Sequence, residues 1–182
     1  MSAFIAFLYR LASWRSLVVV TVLYLAFPIY FLKNAEERIN ALSGKKVSII
    51  DLTMDYDTER TRQYLADYTP EARAYYAQVE ATVDVAYPLV YAFLFAIILA
   101  LLFRTRRFGV PAWVVLVPFA ALLFDYTENL FIYQLLTQYP DFSEGLLIGC
   151  EVAKALKWGG ILVIIGLIVY GIVRQLPVKL QP

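Results

Sequence analysis

Four long runs of apolar residues alternate with polar segments along this chain. The runs occupy residues 16–32, 85–103, 110–136 and 146–173. A helix needs about 17–25 predominantly apolar residues to cross about 30 Å of hydrocarbon. The pattern therefore predicts an all-α fold, a four-helix transmembrane bundle that forms one membrane domain over residues 1–182. A partly helical loop, residues 33–84, is predicted to join the first two spans.

Composition agrees with a membrane protein and removes several classes of function. Hydrophobic residues make up 61% of the chain and charged residues 17%, against about 45–50% and about 25% in soluble domains. The net charge of +1 and the lack of a basic stripe exclude a nucleic-acid partner. Because the chain has no histidine, Ser-His-Asp and Cys-His catalysis and histidine-ligated metals are excluded. The single Cys150 excludes an intramolecular disulfide.

The loop between the first two spans contains two helix-start signals. Asp57 is a predicted N-cap for a short helix, and Thr69 is a predicted N-cap with Pro70 at the first helical position. After Pro70 no signal stops the helix before the second apolar run. We therefore expect one unbroken helix from Pro70 to about Phe103, bent at Pro88, which lacks a backbone donor.

Basic residues that indicate the orientation occur in three stretches: before span one, between spans two and three, and after span four. They are Arg10, Arg15, Arg104, Arg106, Arg107, Arg174 and Lys179. None of the three stretches contains an acidic residue. The positive-inside rule therefore predicts cytoplasmic termini in a cytoplasmic (inner) membrane, with loop 33–84 outside.

Ionisable and polar side chains interrupt spans two, three and four at matching heights. A charge at the centre of a membrane helix costs about 2.5–3.5 kcal/mol on insertion scales. We counted heights at about 1.5 Å per residue from the cytoplasmic arginines. The upper layer contains Asp84, Glu128 and Lys154. The layer about 4–5 Å deeper contains Tyr87, Asp125 and Lys157. Intramembrane charges usually face the bundle interior and find partners there.

These layers predict an intramembrane polar site at the outer leaflet. Lys154 is expected to contact Asp125 or Glu128 directly, and the two carboxylates are candidate catalytic acid and base. Lys154 and Lys157 are expected to hold an anionic head group. The other candidate ligand-binding residues are Asn129, Asp84, Tyr87, Tyr91, Glu151 and Trp158. No cofactor is evident from motifs, and Mg²⁺ or Ca²⁺ bound by the carboxylates is the one metal alternative left open.

Several functions fit such a site. The first is binding of a membrane lipid or other amphiphile, with catalysis of a reaction left open. The second is a non-catalytic subunit or scaffold, in which the charges lock the bundle or the outer loop docks a partner membrane protein. The third is a proton-coupled carrier, which would have to form a homodimer because four spans are few. The apolar cytoplasmic halves of spans two and four argue against the carrier.

Three motifs give a resemblance. The patterns are E-x-x-x-D-x-x-Y-P-x-x-Y at residues 80–91, D-x-x-E-N at residues 125–129, and K-W at residues 157–158. Together they resemble a group of small four-span bacterial integral membrane proteins. The resemblance implies the four-span architecture and no activity, cofactor or ligand.

The predicted orientation has a direct test in a Cys150→Ser background. A cysteine at Ser43 should react with an impermeant thiol reagent added outside, and a cysteine at Thr105 should not. The measurement is labelling of intact cells followed by mass detection. The reverse pattern would overturn the orientation and the depth assignments that depend on it.

Overall fold

The computed structural model describes residues 2–54, 56–104 and 109–175. The described residues are helical with connecting turns and contain no strand, which confirms the all-α prediction. The helices are α1 (Ala3–Leu11), α2 (Trp14–Ala26), α3 (Leu32–Ser43), α4 (Thr58–Asp67), α5 (Pro70–Glu80), α6 (Val83–Phe103), α7 (Val117–Gln138) and α8 (Glu144–Gln175). Shorter turns are the π-helical Phe27–Phe31 and the 3-10 segments Ile50–Leu52 and Ala112–Leu116. Thr105, Arg106, Arg107 and Lys179 lie outside the described residues.

Four helical stretches are long and apolar enough to cross a membrane, as predicted. They are Trp14–Ser43, Pro70–Phe103, Ala112–Gln138 and Glu144–Gln175. We call them spans one to four. Each helix pairs its backbone donors and acceptors internally, so these groups need no partner from the hydrocarbon. The apolar side chains can therefore face the lipid.

Span one is longer than predicted, because its helix passes through Pro28 and past residue 32. The segment Phe27–Phe31 forms a π turn, in which the Leu32 amide donates to the Phe27 carbonyl. This wider turn accommodates a proline that lacks a backbone donor. The helix ends at Ser43, where Gly44 adopts a φ of 68°. Glycine takes this left-handed conformation without a steric penalty and commonly ends helices.

The structure changes the outer position of the labelling experiment. The Ser43 hydroxyl oxygen is buried, so the exposed Lys46 is the more accessible outer position for a cysteine. Cys150 is also buried. Thr105 remains the predicted inner position and lies outside the described residues.

The predicted caps of the connection between α3 and α6 are confirmed. The Asp57 side chain accepts from the Glu59 amide at 2.9 Å and begins α4. The Thr69 hydroxyl accepts from the Ala72 amide at 3.2 Å and begins α5. Between them, Tyr68 donates to a carbonyl of the preceding loop, and burial raises the pKa of its phenol well above the usual range. Local capping chemistry therefore positions both short helices.

The predicted unbroken helix from Pro70 to Phe103 is wrong. Helix α5 ends at Glu80, residues 81–82 form a turn, and α6 begins at Val83. Thr82 has φ −130° and ψ −78°, which is not helical. Pro88 lies inside α6 and does not end it. The interruption thus falls one to two turns before the proline that was expected to disturb the helix.

Helix α7 supplies hydrogen bonds where Pro88 disturbs α6. Proline cannot donate to the carbonyl four residues earlier, and its ring crowds that turn. The Asn129 side-chain amide donates to the Asp84 carbonyl at 2.9 Å, and the Tyr126 hydroxyl donates to the Val85 carbonyl at 2.8 Å. In a membrane such carbonyls have no water to pair with, so neighbouring helices must satisfy them.

The bundle has an apolar cluster at each end and a polar layer between them. Helix α7 packs against α6 and α8, while α2 packs on α6 and α3 packs on α5. One cluster lies under residues 44–69, which we call the connection after α3. It includes Ile39, Ile50, Leu65, Tyr76, Ile132, Leu135 and Leu147. The other, beside α1, includes Leu8, Ile97, Leu99, Phe103, Val114 and Val115. The two clusters position the polar layer described below.

The cap at Pro88 can be tested with a double-mutant cycle. Asn129→Leu should lower the free energy of unfolding by about 1–3 kcal/mol, because it leaves the Asp84 carbonyl unpaired. In a Pro88→Ala background the same change should cost less, since an alanine amide can bond that carbonyl. Denaturant unfolding of the purified protein in detergent measures both values. Thr127→Val is the control on α7, because the Thr127 hydroxyl donates to the Leu123 carbonyl of its own helix. If Asn129→Leu lowers the free energy of unfolding equally in both backgrounds, Asn129 does not compensate for Pro88.

Candidate functional site

A cavity of about 550 Å³ is lined mainly by spans one and two, and spans three and four and the segment after span one complete its lining. Its charged lining residues come from five different segments of the chain. They are Lys33, Glu36, Asp51, Glu80, Asp84, Asp125 and Lys157. Its aromatic lining residues are Tyr24, Tyr76, Tyr87, Tyr91, Phe95 and Trp158. Four residues of the predicted polar layers, Asp84, Tyr87, Asp125 and Lys157, therefore border an internal space.

The predicted face of α6 forms one wall of the cavity. Asp84, Tyr87 and Tyr91 are spaced by three and four residues, which aligns them on one side of a helix. The Tyr91 hydroxyl donates to Asp125 Oδ2 at 2.9 Å in a buried hydrogen bond. The Tyr87 ring stacks on Tyr24 of span one, with centroids 5.6 Å apart. This stacking therefore joins the α6 wall of the cavity to span one.

A buried ion pair joins α7 and α8 beside the cavity. Lys157 Nζ lies 2.6 Å from Glu128 Oε2, and both side chains are almost entirely buried. Lys157 borders the cavity, and its ammonium lies 5.6 Å from the centroid of the Trp158 ring. Glu128 does not line the cavity, and its carboxylate contacts the lysine that does. The pair neutralises Lys157, the buried lysine of the cavity lining.

The predicted contact of Lys154 with Asp125 or Glu128 is wrong. Lys154 Nζ lies 3.0 Å from Glu151 Oε2, one turn earlier on the same helix, and 3.2 Å from Thr53 Oγ1. Neither Lys154 nor Glu151 lines the cavity. Depth counting placed Lys154 level with Glu128, yet Lys157 is the residue that Glu128 contacts.

The direction of helical side chains explains the change of partner. Each Cα–Cβ bond leans toward the N-terminus of its own helix. Gly149 lies against Phe131 and Gly160 against Ala121, so α7 and α8 are antiparallel neighbours. The Glu128 side chain therefore leans toward the C-terminal end of α8, while the lysines lean toward its N-terminal end. These opposite displacements bring Glu128 to Lys157, one turn from the residue that shares its height.

Lys154 and Glu151 attach the connection after α3 to α8. Glu151 Oε1 accepts a hydrogen bond from the Thr61 hydroxyl at 2.6 Å. The Lys154 ammonium reaches Thr53, whose hydroxyl donates to the Ile50 carbonyl at 2.8 Å. Lys154 and Thr61 are fully buried. This pair therefore has a structural position, and neither of its members, each predicted to bind a ligand, borders the cavity.

The remaining predicted residues divide between two cavities. Those that line the main cavity are Asp84, Tyr87, Tyr91, Asp125, Lys157 and Trp158. Asn129 instead borders a second cavity of about 420 Å³, lined also by Glu80 and Tyr126. Sequence analysis did not include Asp51, Glu80, Tyr24 or Tyr76 among the site residues. Glu80 had a signal, since it precedes Asp84 by four residues on the same face, whereas Asp51 lies in a connection without periodicity.

The carboxylates do not form a recognisable ion site in the part of the chain that the structure describes. Within residues 2–54, 56–104 and 109–175, no three aspartate, glutamate or cysteine side chains converge as the ligands of a metal ion would. Ca²⁺ takes about 6–8 oxygen ligands, and Mg²⁺ is usually held by at least one or two carboxylates. These residues therefore supply no ligand set for the Mg²⁺ or Ca²⁺ ion that the sequence leaves open.

Comparison of this chain with protein-family models, with curated protein sequences and with solved structures found no match. The resemblance to small four-span bacterial membrane proteins therefore stays a prediction. The function has to be argued from the chemistry of the cavity itself.

The two ion pairs predict which second substitution restores the stability lost when each lysine is replaced. Lys154→Met alone should lower the free energy of unfolding by about 3–5 kcal/mol, because Glu151 keeps its charge in a buried place. Adding Glu151→Gln should restore most of that loss, and adding Glu128→Gln should not. The reverse should hold for Lys157→Met, which Glu128→Gln rescues and Glu151→Gln does not.

Denaturant unfolding in a neutral detergent measures these effects, and each single glutamine variant serves as a control. Rescue of Lys154→Met by Glu128→Gln would restore the pairing predicted from depth and contradict the one observed. Equal stability of every variant would show that neither pair is buried as described.

Proposed function

We propose that this chain is an integral protein of the cytoplasmic membrane that binds an amphiphilic, lipid-like molecule in the cavity between its spans. The observation that carries the proposal is the cavity of about 550 Å³ with a carboxyl-rich wall inside an apolar bundle. Small-molecule sites commonly have volumes of about 300–1,000 Å³, mostly apolar linings and a few convergent polar groups. The predicted orientation places this cavity toward the outer leaflet, beneath the connection after α3.

The lining contains both kinds of surface that an amphiphile requires. Aliphatic side chains such as Leu32, Val79 and Ile161 border the same space as Asp84 and Asp125. An acyl chain or ring can contact the aliphatic and aromatic part, which favours burial of apolar surface. The head group can then lie among the carboxyl groups, whose retention in a membrane helix is costly and typical of functional sites.

The geometry supports binding more strongly than acid–base catalysis. The proposed acid and base, Asp125 and Glu128, do not share the cavity, since Asp125 borders it and Glu128 does not and is paired with Lys157. Asp125 borders the cavity and accepts a hydrogen bond from Tyr91. A two-carboxylate mechanism needs both groups within reach of the same ligand. We therefore propose a binding function and assign no reaction.

A structural or partner-docking role is the second candidate. The two buried ion pairs fit a device that fixes helix register. Leu52, Met54 and Tyr56, in the connection after α3, are exposed apolar or aromatic side chains, and an exposed apolar surface on this loop is what partner docking requires. This candidate accounts for the paired charges and for the loop. It does not account for the five carboxyl groups that border the cavity.

Binding can be tested with three hexadecyl amphiphiles whose head groups are trimethylammonium, maltoside and phosphate. At least one should bind saturably at a single site in native mass spectrometry from a neutral polyoxyethylene detergent. Ile161→Trp should abolish this binding, because the larger ring enters the cavity. Leu162→Trp is the matched control, since Leu162 is 67% exposed and points away from the cavity.

Two results would contradict the proposal. One is the absence of saturable binding for all three amphiphiles. The other is unchanged binding in a folded Ile161→Trp variant, with folding judged by gel filtration and by the unfolding temperature.

A further inference from the structure

We infer that the cavity recognises a cationic head group, namely a protonated amine or a quaternary ammonium. This inference rests on the proposed binding function and specifies its ligand class. It reverses the expectation from the sequence that two lysines hold an anionic head group. Lys154 lies outside the cavity, and Lys157 is neutralised by Glu128 at 2.6 Å.

The balance of charge at the cavity is acidic. Apart from the half-buried Glu36, four carboxyl groups border it, those of Asp51, Glu80, Asp84 and Asp125. In the described ranges, no lysine or arginine nitrogen comes within 4.0 Å of these four groups. The second lysine of the lining, Lys33, is exposed at the rim and lies 4.0 Å from Glu37. An anionic ligand would therefore meet carboxyl groups without a free cation among them.

Glu80 provides an independent observation that indicates a ligand. Its residue is only 2% exposed, it borders the cavity, and its Oε2 atom has no hydrogen-bond partner in the described structure. By contrast, Asp51 accepts from the Tyr76 hydroxyl at 3.0 Å, and Asp125 accepts from Tyr91 at 2.9 Å. A buried polar oxygen without a partner is costly. A ligand ammonium next to Glu80 would remove that cost by charge-assisted contact.

Aromatic rings complete the chemistry of a cation site. Tyr24, Tyr87, Tyr91 and Trp158 border the same cavity as the carboxyl groups. The faces of such rings attract Lys, Arg and quaternary ammonium groups within about 6 Å of the ring centroid. The Trp158 ring already has the Lys157 ammonium 5.6 Å from its centroid. Carboxyl groups and aromatic faces around one space favour a positively charged head group over a neutral or anionic one.

The ammonium could belong to a lipid or to a small soluble amine, and the two sources differ in the attached chain. The experiment therefore adds tetramethylammonium to the three hexadecyl amphiphiles. We expect hexadecyltrimethylammonium to bind at least about ten-fold more tightly than the maltoside or the phosphate. We also expect it to bind more tightly than tetramethylammonium, because the chain buries apolar surface.

The matched variants are Glu80→Gln with Asp84→Asn inside the cavity, and Glu37→Gln outside it. The double variant should weaken binding of hexadecyltrimethylammonium by about ten-fold or more and leave binding of the maltoside unchanged. Glu37→Gln should change neither. If the double variant does not fold, Glu80→Gln alone must show the same selective loss, or the inference fails.

The outcomes separate this inference from the proposed function. Tightest binding of the phosphate amphiphile, abolished by Ile161→Trp, would overturn the cationic head group and leave the amphiphile site standing. Failure of all four probes would overturn both. Equal affinity for tetramethylammonium and its hexadecyl form would support cation recognition and assign a small amine as its source.

Discussion

The buried ion pair between Glu128 and Lys157 is the interaction on which the arrangement of the site depends. Its partners lie 2.6 Å apart on neighbouring antiparallel helices, in a layer between two apolar clusters. A single charge in that layer would be costly, so each partner requires the other. Their contact sets how α7 is placed along α8. It also neutralises the one deep lysine that borders the cavity.

The second ion pair has a different consequence, because it is formed within α8. Glu151 and Lys154 are one turn apart and together bind threonines of the connection after α3. The connection is thereby held on the bundle, and it carries Asp51 to the cavity. Two lysines that appear equivalent in the sequence thus have separate positions, one at the cavity and one under the connection. The carboxyl groups of the cavity are left without a basic partner among the described residues.

Proline is accommodated in two ways in this bundle, and both bear on the cavity. At Pro28 the helix widens into a π turn, and the proline itself borders the cavity. At Pro88 the helix continues, while Asn129 and Tyr126 of α7 bond the carbonyls of Asp84 and Val85. The actual interruption of span two, at residues 81–82, contains neither proline nor glycine. Local sequence signals therefore could not locate it.

The sequence by itself determined the four spans, the caps at Asp57 and Thr69, and the common face of Asp84 and Tyr91, because these depend on apolar length and helical periodicity. The extension of span one had a signal in Gly44, which suits a helix end. Only the tertiary structure decided which lysine meets Glu128 and which carboxyl groups share the cavity. Those choices depend on the lean of side chains on antiparallel helices and on contacts between segments distant in the chain. Neither is encoded in the spacing of residues along one helix.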